Sequence, residues 1–140
     1  MNQCLSMEVR IYKPLQSPYV WRNKHWSVYK KIRDAWYVML LAALGHAKKP
    51  KDGLKITLVS YRRRLLDQDN LAMAFKPVVD CLKEYIRLPS KKRLGKNGLG
   101  WIYDDSPNHV ILVFKQVKVQ KKGEESIKII IKENKNGKKY

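Results

Sequence analysis

The segment of residues 54–82 constrains the fold most, because a strand pattern gives way there to a helix pattern. Residues 54–61 alternate apolar and polar side chains and are rich in β-branched residues, which is typical of a β-strand. Apolar side chains then recur at the spacing of one helix face, at Leu71, Phe75, Val78, Val79 and Leu82. The helix is expected to begin at Asp69 or Asn70, so the chain passes from a strand almost directly into a helix.

Two carboxylates, those of Asp67 and Asp69, lie where the predicted strand ends and the predicted helix begins. Ligands commonly bind at the carboxyl ends of strands in α/β sheets, where helix N-termini also converge. The chain has 12 Asp and Glu residues against 30 Lys and Arg residues, so acids that follow a run of arginines need an explanation. One explanation is a ligand site. The other is structural: Asp69 caps the helix, and Asp67 pairs with an arginine.

The composition predicts one folded domain, residues 1–140, with a polyanionic partner. Of the 140 residues 44% are hydrophobic, which is enough for a real core, and the formal charge is +18. Such a charge favours nucleic acid or an anionic membrane surface as the partner. The longest apolar run, residues 35–44, is far shorter than the roughly 20 residues of a membrane span. The first ten residues also lack the apolar stretch of a signal peptide, so we expect a cytoplasmic protein without a membrane partner.

Further elements are predicted on both sides of the central segment. A strand pattern covers residues 7–12, a long amphipathic helix pattern covers residues 27–47, and two more strand patterns lie near residues 110–117 and 127–131. The short turn between the last two strands predicts that they pair as an antiparallel hairpin. The expected fold class is therefore α/β (α+β), a β-α-β-α-β-β mixed sheet with two helices packed on it.

Two segments of the chain are rich in basic residues, one internal and one at the C-terminal end of the sequence. Residues 88–100 form a predicted glycine-rich basic loop, and residues 135–140 form a basic tail that is expected to fray. A charge run in such a loop is either simply solvated or a clamp for phosphate groups. With the arginines after the central strand, the loop supplies the candidate DNA-binding residues Arg62, Arg63, Arg64, Lys91, Lys92, Arg93 and Lys96.

A second acidic pair, Asp104 and Asp105, precedes the third predicted strand. Taken alone, an Asp-Asp-Ser-Pro sequence is usually a turn. Together with Asp67 and Asp69, however, carboxylates from separate elements that met at one sheet edge would repel each other unless cations neutralised them. Hard divalent ions such as Mg²⁺, or alternatively Mn²⁺, bind carboxylates in this way. A site of that kind suits the hydrolysis of a phosphodiester.

A calcium-binding loop is the competing metal site, and the spacing excludes it. If Asp67 is the first position of such a loop, Ala72 occupies the position that requires glycine. Val78 then occupies the position of the bidentate glutamate. The metal hypothesis is therefore restricted to Mg²⁺ or Mn²⁺.

Lys76 follows Asp69 by close to two helical turns, which returns it to the same face of the predicted helix. Asp80 lies one turn beyond Lys76, at the spacing of an ion pair within a helix. Lys76 is therefore either a functional cation whose ammonium is held near the acids, or one half of a surface pair that contributes only a few tenths of a kcal/mol.

Together these residues resemble the RusA family of phage and prophage Holliday junction resolvases. The resemblance rests on Asp-x-Asp-Asn-Leu at residues 67–71, Lys-x-x-x-Asp-x-Leu at residues 76–82 and Asp-Asp-Ser at residues 104–106. It implies a homodimeric, Mg²⁺-dependent endonuclease that cuts two strands of a four-way DNA junction symmetrically. The processes implied are DNA recombination and repair in a bacterial host cell.

The resemblance also implies roles for single residues, with one departure from the family pattern. The implied catalytic residues are Asp67, Asp69, Lys76 and Asp105, the implied metal ligands are Asp67, Asp69, Asp105 and Asp104, and the supporting residues are Asn70 and Asp80. The family lysine follows the second acid by four residues, where this chain has Met73. Lys76 lies three residues further on, about 4.5 Å along the helix axis and roughly on the same face, so we transfer the role to it.

Two alternatives stand beside a junction resolvase. One is a basic protein that binds nucleic acid without any chemistry, which the net charge alone would explain. The other is a nuclease of the same kind that acts on flaps or other branched DNA. The distances between the acidic residues in space distinguish a binding protein from a nuclease. The DNA structure that is cut distinguishes a nuclease for other branched DNA from a junction resolvase.

Overall fold

The structure, a computed structural model, describes residues 5–84 and 98–133. Within these ranges the chain is an α/β domain with four strands and three helices, in the order predicted from the sequence. The elements are β1 (Ser6–Ile11), α1 (Trp26–Leu44), β2 (Leu54–Arg62), α2 (Gln68–Ala74), α3 (Lys76–Leu82), β3 (Val110–Lys118) and β4 (Ser126–Glu133). Single 3-10 turns lie at Pro18–Val20 and Lys122–Glu124.

The four strands form one mixed sheet in the order β1-β4-β2-β3. Strands β2 and β3 are parallel, with Leu54 opposite Val110. Strand β4 is antiparallel to both of its neighbours, β1 and β2. The predicted hairpin of the last two strands is therefore wrong, because β4 lies on the other side of β2 from β3.

The link from β3 to β4 crosses the carboxyl end of β2, and hydrogen bonds hold it there. The backbone N–H of Val119 donates to the carbonyl of Arg62 at 3.0 Å. The N–H of Arg63 donates to the Glu125 carboxylate at 3.1 Å. This crossing places β4 inside the sheet, where the side chains of Ile127, Ile129 and Ile131 are fully buried.

The core lies between one face of the sheet and the helices. Trp36 and Leu40 of α1 pack there with Phe75 at the junction of α2 and α3 and with sheet residues such as Leu58. The thiol of Cys81 is also buried in this core. Helices α1 and α3 contact each other, so the helical layer is continuous over the sheet.

The second predicted helix is divided into α2 and α3 at Phe75. The division follows from Pro77, which has no N–H to donate to the carbonyl four residues earlier. The N–H of Phe75 instead bonds to the carbonyls of Leu71 and Met73 as α2 ends. The start also differs from the prediction, because α2 begins at Gln68 rather than at Asp69 or Asn70.

Several sequence predictions concern residues outside the described ranges. Of the basic loop at residues 88–100, only residues 98–100 are described, and the tail at residues 135–140 lies outside. The candidate DNA-binding residues that fall outside are Lys91, Lys92, Arg93 and Lys96. Within residues 5–84 and 98–133, no helix combines the length and the apolar character that crossing a bilayer requires.

The inner position of β4 predicts a large effect of truncating its buried side chains. Ile129→Ala should lower the free energy of unfolding by about 3 kcal/mol, because it leaves a cavity between the sheet and the helices. Lys132→Ala, at an exposed position of the same strand, should change it by less than about 0.5 kcal/mol. Urea denaturation followed by circular dichroism measures both, and equal effects would contradict the inner position of β4.

Candidate functional site

The acidic turn at residues 104–105 is held against helix α3 by the segment that precedes it. The N–H of Leu99 donates to the carbonyl of Cys81 at 2.9 Å, and the N–H of Trp101 donates to that of Leu82 at 2.9 Å. Gly98 is required at this contact, since a Cβ atom there would lie 1.8 Å from the carbonyl oxygen of Lys83. The segment therefore attaches the turn to the helix that carries Lys76 and Asp80.

Asp80 is the centre of a charged network that joins three elements. Its Oδ2 accepts hydrogen bonds from Lys76 Nζ at 2.9 Å and from the hydroxyl of Tyr29 on α1. Its Oδ1 lies 2.9 Å from Lys83 Nζ. Lys83 Nζ also lies 3.5 Å from Asp105 Oδ2, so one ammonium bridges the two carboxylates. We call Tyr29, Lys76, Asp80, Lys83 and Asp105 the Asp80 network.

The electrostatics of the network keep Asp80 ionised. Burial alone would raise the pKa of Asp80, but the hydrogen bonds from Tyr29 and Lys76 and the charge of Lys83 outweigh it and lower the pKa. Burial would likewise lower the pKa of Lys83, yet the charges of Asp80 and Asp105 raise it. Burial and the adjacent Asp80 raise the pKa of Tyr29, so its hydroxyl remains a donor. The predicted ion pair of Lys76 with Asp80 is thus present within a larger set of charges.

A second cluster surrounds the N-terminus of α2. Asp67 is the N-cap: its Oδ1 accepts the backbone N–H of Asn70 at 2.8 Å, and its Oδ2 accepts the Asn70 side-chain amide at 3.1 Å. Arg22 Nη2 donates to Asn70 Oδ1 at 2.7 Å and lies 3.3 Å from the sulfur of Met73. The capping role expected of Asp69 therefore belongs to Asp67. Asp69 is exposed in the first turn, where the helix dipole favours a negative charge.

Asp104 takes part in a separate group at the start of β3. Its Oδ1 accepts the backbone N–H of Ser106 at 2.7 Å, and this bond is the main cause that lowers the pKa of Asp104. Its Oδ2 lies 3.9 Å from His109 Nε2, while His109 Nδ1 lies 2.6 Å from Asp52 Oδ1. The hydrogen bond with Asp52 raises the pKa of His109. Asp104 thus has the turn-stabilising role expected of an isolated Asp-Asp-Ser-Pro sequence.

The aromatic segment before α1 lies between the two main clusters. Trp21 packs edge-on against Tyr29 of the Asp80 network, with ring centroids 5.8 Å apart. The next residue, Arg22, reaches the N-terminus of α2, and its guanidinium lies 4.9 Å from the ring centroid of Tyr19. One short stretch of chain therefore contacts both groups of predicted site residues.

The structure brings some predicted residues together and leaves others apart. Lys76, Asp80 and Asp105 share one network, and Asp67 and Asn70 share the α2 cluster. Among the described residues, no three His, Cys, Asp or Glu side chains form a group that could hold a metal ion. Mg²⁺ is often held by only one or two carboxylates together with water and substrate phosphates, so the predicted ligands have suitable donor chemistry even without a larger cluster.

Sequence reasoning missed three residues of these clusters. Lys83 lies at the i+3 position from Asp80, a spacing that predicts an ion pair within a helix, although α3 ends at Leu82. Tyr29 lies within the amphipathic pattern of residues 27–47 and is buried in α1, yet its hydroxyl reaches Asp80. Arg22 belongs to a segment in which aromatic and basic residues mix, and no local pattern indicates that it bonds to Asn70.

The three arginines at residues 62–64, where β2 ends, have different surroundings. The guanidinium of Arg62 donates to the carbonyl of Leu15 at 3.1 Å, and its partial burial lowers the pKa. Arg63 Nε lies 3.5 Å from the Glu125 carboxylate, and Arg64 is exposed. Arg62 thus helps to hold the loop before α1, whereas the side chain of Arg64 is open to a partner. DNA binding by these residues stays a prediction.

No protein-family model matches the chain, and no curated protein sequence matches it.

The network predicts a pH-dependent contribution of Asp80 to stability. Asp80→Asn should lower the free energy of unfolding by about 2 kcal/mol at pH 7, because charge-assisted hydrogen bonds to a largely buried group are lost. The folded-state pKa of Asp80 is lowered, so this contribution is complete above the ordinary pKa of about 4 and disappears as the pH falls through the lowered value. The difference between wild type and variant should therefore shrink below about pH 4.

Asp69→Asn is the control for this measurement. Asp69 is an exposed acid in the first turn of α2, whereas the side chain of Asp80 is only 14% exposed. Its loss should change the free energy of unfolding by less than about 1 kcal/mol. Chemical denaturation between pH 3 and pH 7 measures both variants, and equal losses would show that the Asp80 network does not stabilise the fold.

Proposed function

We propose that the protein is a Mg²⁺-dependent endonuclease that hydrolyses phosphodiesters in branched DNA, with the four-way Holliday junction as its substrate. The proposal follows the resemblance to the RusA family and places the protein in DNA recombination and repair. A homodimer is part of it, because symmetrical nicks across a two-fold junction need two sites related by a two-fold axis.

The single observation that carries the proposal is the convergence of Lys76, Asp80 and Asp105. These residues come from two distant motifs, and each was predicted as a site residue from the sequence. Lys83 joins them, since its ammonium contacts Asp80 at 2.9 Å and Asp105 at 3.5 Å. In a chain with 12 acidic and 30 basic residues, such a grouping of acids favours a site over an accident of composition.

The residues of the network have distinct proposed roles. Asp80 is largely buried and orients the ammonium of Lys76, whose side chain is 57% exposed and therefore accessible to a phosphate group. Lys83 is only 21% exposed and positions the carboxylate of Asp105, which is 53% exposed. The exposed groups are thus the ones that face a substrate, and the buried groups hold them in place.

The proposed metal ligands are Asp67 and Asp69 in one pair and Asp104 and Asp105 in the other. Carboxylate oxygens are the ligands that Mg²⁺ prefers, and the metal when bound supplies a polarised water and stabilises charge on the phosphate. Asp67 keeps a lone pair on each oxygen beyond the bonds to Asn70, so capping and metal binding are compatible. Asp69 and Asp105 are exposed to solvent.

A second candidate function is the binding of nucleic acid without hydrolysis. The observations that favour it are the structural roles of two predicted ligands: Asp67 caps α2, and Asp104 closes the turn at Ser106. Acids with such roles need no metal to explain their positions. Cleavage by variants that keep these roles but lack the charge distinguishes the two functions.

Asp67→Asn and Asp105→Asn should each reduce cleavage of a labelled four-way junction at least about 100-fold in the presence of Mg²⁺. Asparagine is as good an N-cap as aspartate, so Asp67→Asn removes the charge and keeps the helix start. Binding of the junction, measured without divalent ions, should be unchanged or tighter, because repulsion of phosphate decreases. Asp34→Asn, on the exposed surface of α1, is the control and should cut as wild type does.

Three outcomes of this assay would contradict the proposal in different ways. Normal cleavage by both site variants would remove the assigned carboxylates from the chemistry. No Mg²⁺-dependent cleavage of any branched DNA by wild type would favour the second candidate function. Cleavage of flaps in preference to junctions would keep the nuclease and change its substrate.

A further inference from the structure

The face of the sheet opposite the helices is a second strongly basic surface. Side chains alternate between the two faces of a strand, and Leu54, Ile56 and Leu58 of β2 are fully buried on the helix side. Lys55 and the residues at alternate positions after it therefore lie on the other face. We call this the open sheet face, because in the described part of the chain the three helices lie on the opposite side of the sheet.

The strand register arranges the cations of this face in two rows. Lys55 on β2 lies directly opposite Lys132 on β4, which forms the first row. Lys128 on β4 is opposite both Arg10 on β1 and Val59 on β2, and Val59 is opposite Lys115 on β3, which forms the second row. The rows are four residues apart along the strands, or about 13 Å at roughly 3.3 Å per residue.

The cations of the open sheet face outnumber the acids around them in the described part of the chain. None of the five forms an ion pair with a carboxylate in the ranges that the structure describes. The strand positions of this face contain a single acid, Glu8, against five cations. This contrasts with the helix side, where Lys76 and Lys83 are both paired with Asp80. The field of the open sheet face is therefore strongly positive.

Tyr61 gives the second row a fixed geometry. The guanidinium of Arg10 lies 4.1 Å from the centroid of the Tyr61 ring, and Lys128 Nζ lies 5.7 Å from it. Arg10 Nε also donates to Ser126 Oγ at 3.0 Å. The ring and the hydroxyl thus order two cations without neutralising them, which reduces the entropy that a bound anion would otherwise have to remove.

We propose that the open sheet face binds the phosphate backbone of double-stranded DNA. Charge complementarity selects this occupant, since a second copy of the chain would bring two rows of like charge together. The separation of the rows, about 13 Å, is close to the roughly 12 Å width of the major groove, so the rows match phosphates on its two sides. The proposal does not depend on hydrolysis. It gives the protein a DNA contact on the side of the sheet away from the Asp80 network.

A pair of matched triple variants tests this binding surface. One triple carries Lys55→Gln, Lys115→Gln and Lys132→Gln on the open sheet face. The control triple carries Lys31→Gln, Lys48→Gln and Lys49→Gln, which are exposed and lie in α1 and the loop after it. Both triples lose the same formal charge, so a difference between them reports position and not net charge.

Fluorescence anisotropy with a labelled linear duplex, in EDTA and at several salt concentrations, measures the affinities. The open-face triple should bind the duplex at least about tenfold more weakly than wild type. The negative slope of log K against log salt should also become shallower by about 2 to 3, since each phosphate contact contributes about 0.9 to its magnitude. The control triple should change the slope by less than about 1. Equal losses in the two triples, or no loss in the open-face triple, would overturn the proposal.

Two further measurements keep the test independent of the variants and of cleavage. When wild-type protein is acetylated in the presence of the duplex, bound DNA should protect the lysines of the open sheet face more than the control lysines. The face lysines are Lys55, Lys115 and Lys132, the control lysines are Lys31, Lys48 and Lys49, and equal protection would overturn the proposal.

Vesicles of phosphatidylserine and phosphatidylcholine test the other anionic surface. If the open-face triple loses vesicle binding but not duplex binding, the face binds membranes and the proposal is wrong. Because no divalent ion is present, failure here leaves the proposed nuclease activity unaffected, and failure of cleavage leaves this surface unaffected.

Discussion

The burial of β4 between β1 and β2 is the constraint on which the rest of the structure depends. Its isoleucines, Ile127, Ile129 and Ile131, are fully buried and need neighbours on both sides, which an edge strand does not have. The chain reaches this position by crossing the carboxyl end of β2, where Val119 and Glu125 bond to the backbone of residues 62–63. The crossing leaves β3 parallel to β2 at the opposite edge. The turn before β3 is then free to pack against α3, and that contact brings Asp105 to the Asp80 network.

The network itself shows how a carboxylate is retained in a largely buried position. Removing Asp80 from water opposes ionisation, and a single surface-type ion pair would not offset that cost. Here a tyrosine hydroxyl and two ammonium groups bind its two oxygens, and the pKa of Asp80 is lowered despite burial. Because Lys83 also contacts Asp105, the stabilisation of the helix layer and the position of the exposed acid depend on the same ammonium.

Local patterns in the sequence were sufficient for the elements and for contacts within them. Alternation at residues 54–61 predicted β2, and the spacing of Lys76 and Asp80 predicted their ion pair. Contacts between distant segments could not be predicted in this way. The position of β4 depends on which strand offers it a neighbour, and the pairing of Lys83 with Asp105 depends on how residues 98–102 lie along α3. The cap was predicted as Asp69 and is Asp67. Both are good N-cap residues, and local pattern does not show at which of them the chain that leaves β2 enters the helix.

The two sides of the sheet differ in how their charges are compensated, which matters for the proposed binding of a polyanion by a protein that also has clustered acids. On the helix side the cations nearest the acids are paired, so their field largely cancels at a distance of a Debye length, about 8 Å at physiological salt. On the open sheet face the cations are ordered by Tyr61 and Ser126 and keep their charge. If DNA is the partner, as proposed, its attraction over longer distances comes from residues other than those that surround the acids. In the proposed enzyme, binding strength and cleavage can change independently, because mutations in one set of residues leave the electrostatics of the other nearly intact.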